Sequence, residues 1–339
     1  MITNTSTPRI SVTIPTRDRP NDLSELLSTL LNQSYPPIEV IIVDDSLSKS
    51  TKNVAHSFNS RFKSIGCELK YVKGSGDGLP AARNLGITIF RGDAILFLDD
   101  DTLLVDSNVI LMVAKFLKGH PEALGVQPKI IAPRNAYQTS LFSRIEGVLN
   151  TVFLLSSYES NKKAIHRSGA SIDPKPLTRV ITAQILSGCC CLYRRSVFDK
   201  FRFDENLKKW ANTEDKDFSY RVYKRHPSSL YVFPYAKIVH KESQKAELPK
   251  KQVLDMMVIY FSYTFFKDFF EGSILNLFSF LWCLVGLLVT MVAGLIIRRK
   301  PKREWCRLIY LFESYVTAFR NLKNILMQRL EFFNKNLNR

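Results

Sequence analysis

Two spacings of apolar residues alternate along the first 120 positions. Short continuous or alternating apolar runs have the pattern of strands, and leucines recurring every three or four residues have that of amphipathic helices. Ile10-Ser11-Val12-Thr13-Ile14 predicts a strand that ends at Pro15. Leu23, Leu26, Leu27, Leu30 and Leu31 then share one helical face, and Pro20 suits a first helical turn. The same reading predicts a strand over 39–43, a polar helix over 49–63 and a strand over 69–73. A helix over 78–91 is entered through Gly74-Ser75-Gly76-Asp77, followed by a strand over 94–98 and a helix over 107–119. A βαβαβαβ order of this kind predicts an α/β fold with a doubly wound, mainly parallel sheet.

Beyond Pro121 the pattern loosens. Residues 125–131 predict another strand. Residues 133–176 are polar and irregular, with helix expected over 141–155. Residues 180–193 are strand-rich, 214–224 helical and 229–233 a strand. The character changes again after position 250. Residues 253–270 are apolar and aromatic but carry Asp255, Lys267 and Asp268, and 274–297 form an almost uncharged apolar stretch. The chain is therefore expected to divide into a domain over 1–250, with halves 1–120 and 121–250, and a helical region over 251–339.

The stretch 274–297 is long enough to cross a bilayer, and Arg298-Arg299-Lys300-Pro301-Lys302-Arg303 follows it directly. The formal net charge is +17. Because much of this excess flanks the apolar stretch, it argues for a membrane surface as partner rather than nucleic acid. Residues 1–9 lack the apolar core of a secretory signal, so the catalytic part is expected to face the cytoplasm. A basic flank also prefers that side, and one span cannot place both ends there. Either 253–270 and 274–297 form a hairpin, or one or both lie in the interface; the amphipathic tail over 308–330 would join the same surface. The six cysteines include the run Cys189-Cys190-Cys191 but no CxxC pair, and are expected to be free, mostly buried thiols.

Candidate chemistry gathers where strands end. The fourth strand runs into Asp99-Asp100-Asp101, the second ends in Asp44-Asp45, the first in Pro15-Thr16-Arg17-Asp18, and Thr213-Glu214-Asp215 precedes a helix. Open α/β sheets bind ligands at the carboxyl ends of their strands. Adjacent carboxylates repel, and oxygen ligands suit a hard divalent cation. The glycines at 74–78 match neither a dinucleotide fingerprint nor a P-loop.

In order and spacing, residues 10–18, 39–46, 79–86, 96–102, 187–203 and 213–221 resemble the family 2 glycosyltransferases of the GT-A fold, which are inverting nucleotide-sugar enzymes. The resemblance covers roughly residues 9–240. It implies a nucleotide-binding half and an acceptor-side half, with 133–176 as an acceptor-side flap. It places Pro15, Thr16 and Arg17 against the nucleoside, Asp45 on the base, and Arg83 and Asn84 close to the nucleotide. Asp99, with Asp100 beside it, would serve the donor, and Asp99 would face the ribose. Asp101 would hold Mg or Mn on the diphosphate, His240 would complete the metal shell, and Asp215 would be the general base. The implied partners are a nucleotide-diphosphate sugar, a glycan or lipid-linked acceptor in surface-glycan, lipopolysaccharide or glycolipid synthesis, and a membrane. The QxxRW string of processive relatives is absent from the sequence, which implies transfer of one or a few sugars. Arg194-Arg195 either contacts the diphosphate or ends a strand. Two alternatives stand beside this reading: transfer to polyprenyl phosphate, which needs less of a base, and metal-dependent phosphoryl transfer.

Overall fold

The computed structural model describes residues 6–131, 141–209, 213–243, 250–297 and 301–337. The elements follow the chain as β1 (Ile10–Thr16), α1 (Pro20–Leu31), β2 (Glu39–Asp44), α2 (Ser50–Ser64), β3 (Glu68–Lys73), α3 (Leu79–Ile89), β4 (Ala94–Leu98), β5 (Thr102–Leu104) and α4 (Val109–Gly119). Then come β6 (Gly125–Ile131), α5 (Leu141–Val152), β7 (Ser157–Glu159), β8 (Ala164–Ile165), β9 (Ser171–Pro174), β10 (Ile181–Ala183), β11 (Cys190–Arg194), α6 (Glu214–Arg225) and β12 (Leu230–His240). The remainder is helical: α7 (Lys250–Thr264), α8 (Ile274–Ile297), α9 (Pro301–Arg320), α10 (Leu322–Leu326) and α11 (Glu331–Leu337). They form two compact units, one of Met1–Asn135, Leu177–Glu205 and Glu214–Lys245, the other of Ala136–Pro176, Asn206–Thr213 and Ala246–Arg339.

The first unit is built on a nine-stranded sheet of order β10-β12-β6-β11-β4-β1-β2-β3, with β5 on β12. The expected parallel arrangement holds from β3 through β2 and β1 to β4. The far half is mixed, because β11 runs antiparallel between β4 and β6. Strands buried on both faces read as continuous apolar runs. Val40 and Ile42 of β2 pack into one core with Leu23, Leu26 and Leu30, while Ile41 and Val43 pack into a second with Phe97, Phe198 and Phe218. Strand β12 is twice the expected length. It stays in register with β6 to Phe233, breaks, and resumes at Lys237. Pro234 lies in the break, where a residue without an N–H is tolerated and where a sequence reading stops the strand.

Two polar features fix the amino-terminal edge of this sheet. Glu39 is fully buried and accepts from Ser11 Oγ (2.6 Å), Lys70 Nζ (2.7 Å) and Arg91 Nε (3.0 Å). Arg194 and Arg195 end β11 structurally. Arg194 donates to the carbonyls of Leu117, His120 and Ala123, and Arg195 to those of Phe90 and Gly92.

In the second unit a three-stranded sheet, β7-β9-β8, lies within the stretch expected to be irregular; residues 132–140 of that stretch are outside the described ones. Residues 253–270, open between a hairpin arm and an interfacial element in the sequence reading, are a mostly buried helix. Leu254, Val258, Ile259, Tyr260 and Tyr263 of α7 are buried, and the helix continues into a π-helical turn at Phe265–Phe269. Phe265 stacks on Phe280 of α8 at 4.1 Å. Among the described residues α8 is the one helix long and apolar enough to cross a membrane. The basic residues 298–300 are outside the described ones. All six cysteines are free, and five are buried.

Candidate active site

The acidic run leaves β4 at the carboxyl edge of the sheet and sends its three side chains to different partners. Asp100 turns inward, where it accepts from Thr16 Oγ1 at 2.8 Å and Arg19 Nη1 at 2.9 Å. Burial pushes its carboxyl up to about 7, Arg19 and Thr16 oppose the rise, and neighbouring Asp101 adds to it. Asp101 is also buried. Burial opposes its ionisation, but His240 Nε2 at 3.1 Å, Arg19 Nη1 at 3.4 Å and the backbone N–H of Ser243 hold it below its ordinary range. Desolvation works against protonation of His240, and Asp101 overrides it and raises the imidazole.

His240 reaches this place through strand pairing. β5 begins directly after the acids and runs antiparallel to β12, with Thr102 opposite His240. Asp99, Asp101 and His240 each offer one ligand atom, and these atoms lie within 4.8 Å of one another. Two carboxylate oxygens and an imidazole nitrogen fit a divalent cation such as Mg or Mn.

Asp99 also has a second set of partners. Its Oδ1 accepts from Arg83 Nη2 at 3.1 Å, while Arg83 Nη1 donates to Glu214 Oε1 at 3.0 Å and Nη2 also reaches the Gly188 carbonyl. Arg83 is 1% exposed, so it is not a surface helix residue. Gly188 is required here, since a Cβ at that position would stand 2.6 Å from Arg83 Nη2. The Gly188 N–H donates to Asp215 Oδ2 at 3.0 Å. Asp215 is half-buried and occupies the first turn of α6, where the helix dipole favours carboxylates. Burial first, and then the charge of Asp215, raise the Glu214 carboxyl to about 7 against the pull of Arg83.

The remaining expected residues sit at the same edge in different roles. Asp45 directly follows β2 and accepts from the Gly76 N–H at 2.9 Å; Gly74 leaves room for it, a Cβ there falling 2.1 Å from Asp45 Oδ1. Arg17 is partly exposed, 3.8 Å from Asp18. Pro15 is buried in β1. Asn84 binds the backbone of Phe203 in both directions, at 2.9 Å each way, and so braces the loop after β11. Asp100, Arg83 and Asn84, expected beside the nucleotide, are thus engaged by protein groups.

Sequence reasoning missed Arg19, which joins Asp100, Asp101 and the Ser243 carbonyl. A positive φ of 55° at Asp18 turns the chain so that Arg19 points under the acids. The signal was two arginines flanking an aspartate in Arg17-Asp18-Arg19. The pairing of Glu214 with Arg83 has no signal in the sequence, the two standing 131 positions apart.

A family model described as glycosyl transferase family 2 matches residues 11–202, more than half of the chain. The chain belongs to that family. Its similarity to named proteins is more distant. Glycosyltransferase GlyA of Streptococcus pneumoniae is 23% identical over 196 residues, which are 58% of this chain and 26% of that protein. Chondroitin synthase of Escherichia coli is 26% identical over 238 residues, 63% of this chain and 32% of the synthase. The chain therefore spans about a third or less of the length of these relatives. Among solved structures, the Pyrobaculum calidifontis mannosyltransferase PcManGT in complex with GDP-Man and Mn2+ matches with a TM-score of 0.56 at 15% identity, covering 93% of this chain and 88% of that one. S. aureus TarS 1–349 matches with a TM-score of 0.54 at 14% identity, covering 96% and 89%. The fold is thus that of the GT-A glycosyltransferases.

Proposed function

We propose that the chain transfers a sugar from a nucleotide-diphosphate donor to an acceptor hydroxyl, with inversion at the anomeric carbon and with Asp215 as the general base. The observation that carries this reading is the Asp99–Asp101–His240 cluster at the sheet edge, tied through Arg83 and Gly188 to the Asp215 carboxylate in the first turn of α6. The PcManGT complex, which holds a nucleotide sugar and Mn2+ on the same fold, supports the donor class.

In this mechanism the nucleoside lies along Pro15, Thr16 and Arg17, Asp45 accepts from the base, and Asp99 from the ribose. Asp101 and His240 would hold Mg or Mn, whose chemistry there is to neutralise charge on the departing diphosphate. Arg19 and the Ser243 N–H keep Asp101 ionised and fixed. Asp215 takes the proton as the acceptor oxygen bonds to the anomeric carbon and the bond to the diphosphate breaks. Arg83 keeps Asp99 and Glu214 in place without touching the reacting atoms. Family membership disfavours the phosphoryl-transfer alternative. A lipid-linked acceptor is supported by a Campylobacter jejuni relative, a glucosyltransferase named for an undecaprenol-diphosphate glycan, 28% identical over 120 residues.

The test is a screen of nucleotide sugars for hydrolysis and transfer, with and without Mn2+. Metal-dependent release of nucleoside diphosphate from one donor is expected. No turnover of any nucleotide sugar with metal and hydroxyl acceptors would reject the reading.

A further inference from the structure

The second unit carries a one-sided apolar face whose composition and surroundings define how it would meet a membrane. Helix α8 is apolar around its whole circumference, but its burial is not uniform. Phe280, Cys283, Gly286, Met291 and Gly294 are buried. Phe278, Leu281, Val285 and Val292, on the opposite side, are exposed. Every exposed position within α8 is apolar. Helix α9 repeats the arrangement: Trp305, Ile309, Phe312 and Phe319 are exposed at helical spacing on one side, while Leu311 and Ser314 are buried on the other. The two helices pack side by side, with Tyr315 Oη bonded to the Leu284 carbonyl. Exposed apolar surface of this extent marks a lipid or protein contact.

The buried side of α8 shows which geometry is compatible with lipid. Trp282 Nε1 donates to the Val152 carbonyl of α5 at 2.9 Å, and Gly286 lies against Phe153. Farther along, Met291 packs with Leu254 and Val258 of α7 and Leu311 of α9. Adjacent to that contact in α7 and α9 is a polar set. Asp255 accepts from Lys251 at 2.9 Å and from Ser314 at 2.7 Å, and Lys251 lies 3.5 Å from the exposed Glu313. A bilayer-crossing α8 would carry these partly exposed charges into hydrocarbon, where each is costly. An α8 lying in the interface leaves them in water.

We infer that α8 and α9 lie side by side in the plane of an anionic bilayer, their shared apolar face immersed in one leaflet, and that α8 does not span it. The charge fits: Arg298, Arg299 and Lys300 occupy the sequence between the two helices, Lys302 and Arg303 belong to the start of α9, and Arg320, Lys323 and Arg329 follow as exposed side chains. Basic residues beside an amphipathic helix draw it to anionic lipid.

The full chain, with Cys306→Ser as background, is reconstituted with sealed phosphatidylglycerol–phosphatidylcholine vesicles. Single cysteines are placed at Ser273→Cys and Ile297→Cys, the two ends of α8, and probed with a membrane-impermeant maleimide. In-plane binding predicts labelling of both from the outer side without lysis; labelling of one end only after lysis would overturn the proposal. Flotation with the same vesicles should fall about tenfold or more for Ile309→Glu/Phe312→Glu, and also when phosphatidylglycerol is omitted. Circular dichroism checks that the double variant is folded. If it floats undiminished while a parental dimer becomes monomeric, the face is a subunit contact and the proposal fails. These readouts do not depend on sugar transfer.

Discussion

Arg83 Nη1 stands 3.0 Å from Glu214 Oε1, joining two residues 131 positions apart, and the same guanidinium holds Asp99 at 3.1 Å. One buried cation thus links the acid that leaves β4 with the acid that opens α6. Removing one partner of a buried ion pair leaves the other charge uncompensated, at a cost of about 3–5 kcal/mol. Arg83→Met should therefore lower the unfolding free energy by about that amount. Arg83→Lys keeps the charge but not the two-armed geometry, so it should lose less stability and still lose turnover. Urea unfolding of both variants beside the parent measures this. Parental stability in Arg83→Met would refute the assigned role.

Glu39 offers a test at the opposite end of the sheet. It is fully buried and bonded to Ser11, Lys70 and Arg91. Burial opposes its charge, but those partners win and hold the carboxyl below its ordinary 4.5. The sign follows from linkage. A depressed folded-state value contributes stability that is present above about pH 4.5 and lost as pH falls through the lower folded-state value. Glu39→Gln should cost about 1–3 kcal/mol at pH 7, and the gap to the parent should narrow below pH 4. A gap independent of pH between 7 and 3 would show that the charge of Glu39 contributes nothing.

The parallel half of the sheet was legible because β1, β2 and β4 are buried on both faces and bounded by turn residues. The acids at the carboxyl edge of the sheet were legible because they stand at strand ends. Three things were hidden for physical reasons. The family resemblance alone put His240 beside Asp101; the β5–β12 pairing that brings them together was not legible, because β5 is three residues long, too short to show a period. Arg19 looked like any loop arginine until the positive φ of Asp18 aimed it. Arg83 lies on a helix with an ordinary amphipathic pattern, and its burial depends on Gly188 and Glu214, more than 100 positions away. The break at Pro234 concealed the second half of β12, which is the half that carries His240.

Asp101 should decide metal binding. It contributes one of three ligand atoms clustered within 4.8 Å, and it is the acid held ionised by His240, Arg19 and the Ser243 N–H. Substituting an outer partner of a metal ligand typically costs about 10–100-fold in affinity, so loss of the ligand itself should cost at least about 100-fold. Asp101→Asn is therefore expected to abolish measurable Mn2+ binding by calorimetry, and transfer with it. His240→Ala should weaken binding by a smaller factor. Unchanged Mn2+ affinity in Asp101→Asn would remove this residue from the metal site, whatever happened to activity.

Asp215 carries the mechanistic assignment, and its surroundings make the test selective. The Gly188 N–H fixes its Oδ2 at 3.0 Å, and the N–H of Lys216 lies 2.8 Å from Oδ1. Asparagine can keep the shape and one of these bonds, but it cannot accept the acceptor hydroxyl proton. A general base supplies about two to four orders of magnitude in rate. Asp215→Asn should thus lower turnover by about 100-fold or more. Donor affinity should hold, because the proposed nucleotide contacts lie on Asp45, Asp99 and Asp101. Calorimetric binding of the nucleoside diphosphate beside single-turnover transfer separates the two quantities. Near-parental transfer would exclude Asp215 as base and favour an acceptor that arrives ionised, such as a polyprenyl phosphate. A collapse of nucleotide affinity at parental stability would instead assign Asp215 to the donor site. Glu214→Gln completes the comparison: it leaves Asp215 intact and keeps an oxygen facing Arg83, so it should retain far more transfer than Asp215→Asn. An inactive Glu214→Gln variant, with Asp215→Asn retaining transfer, would move the base to Glu214.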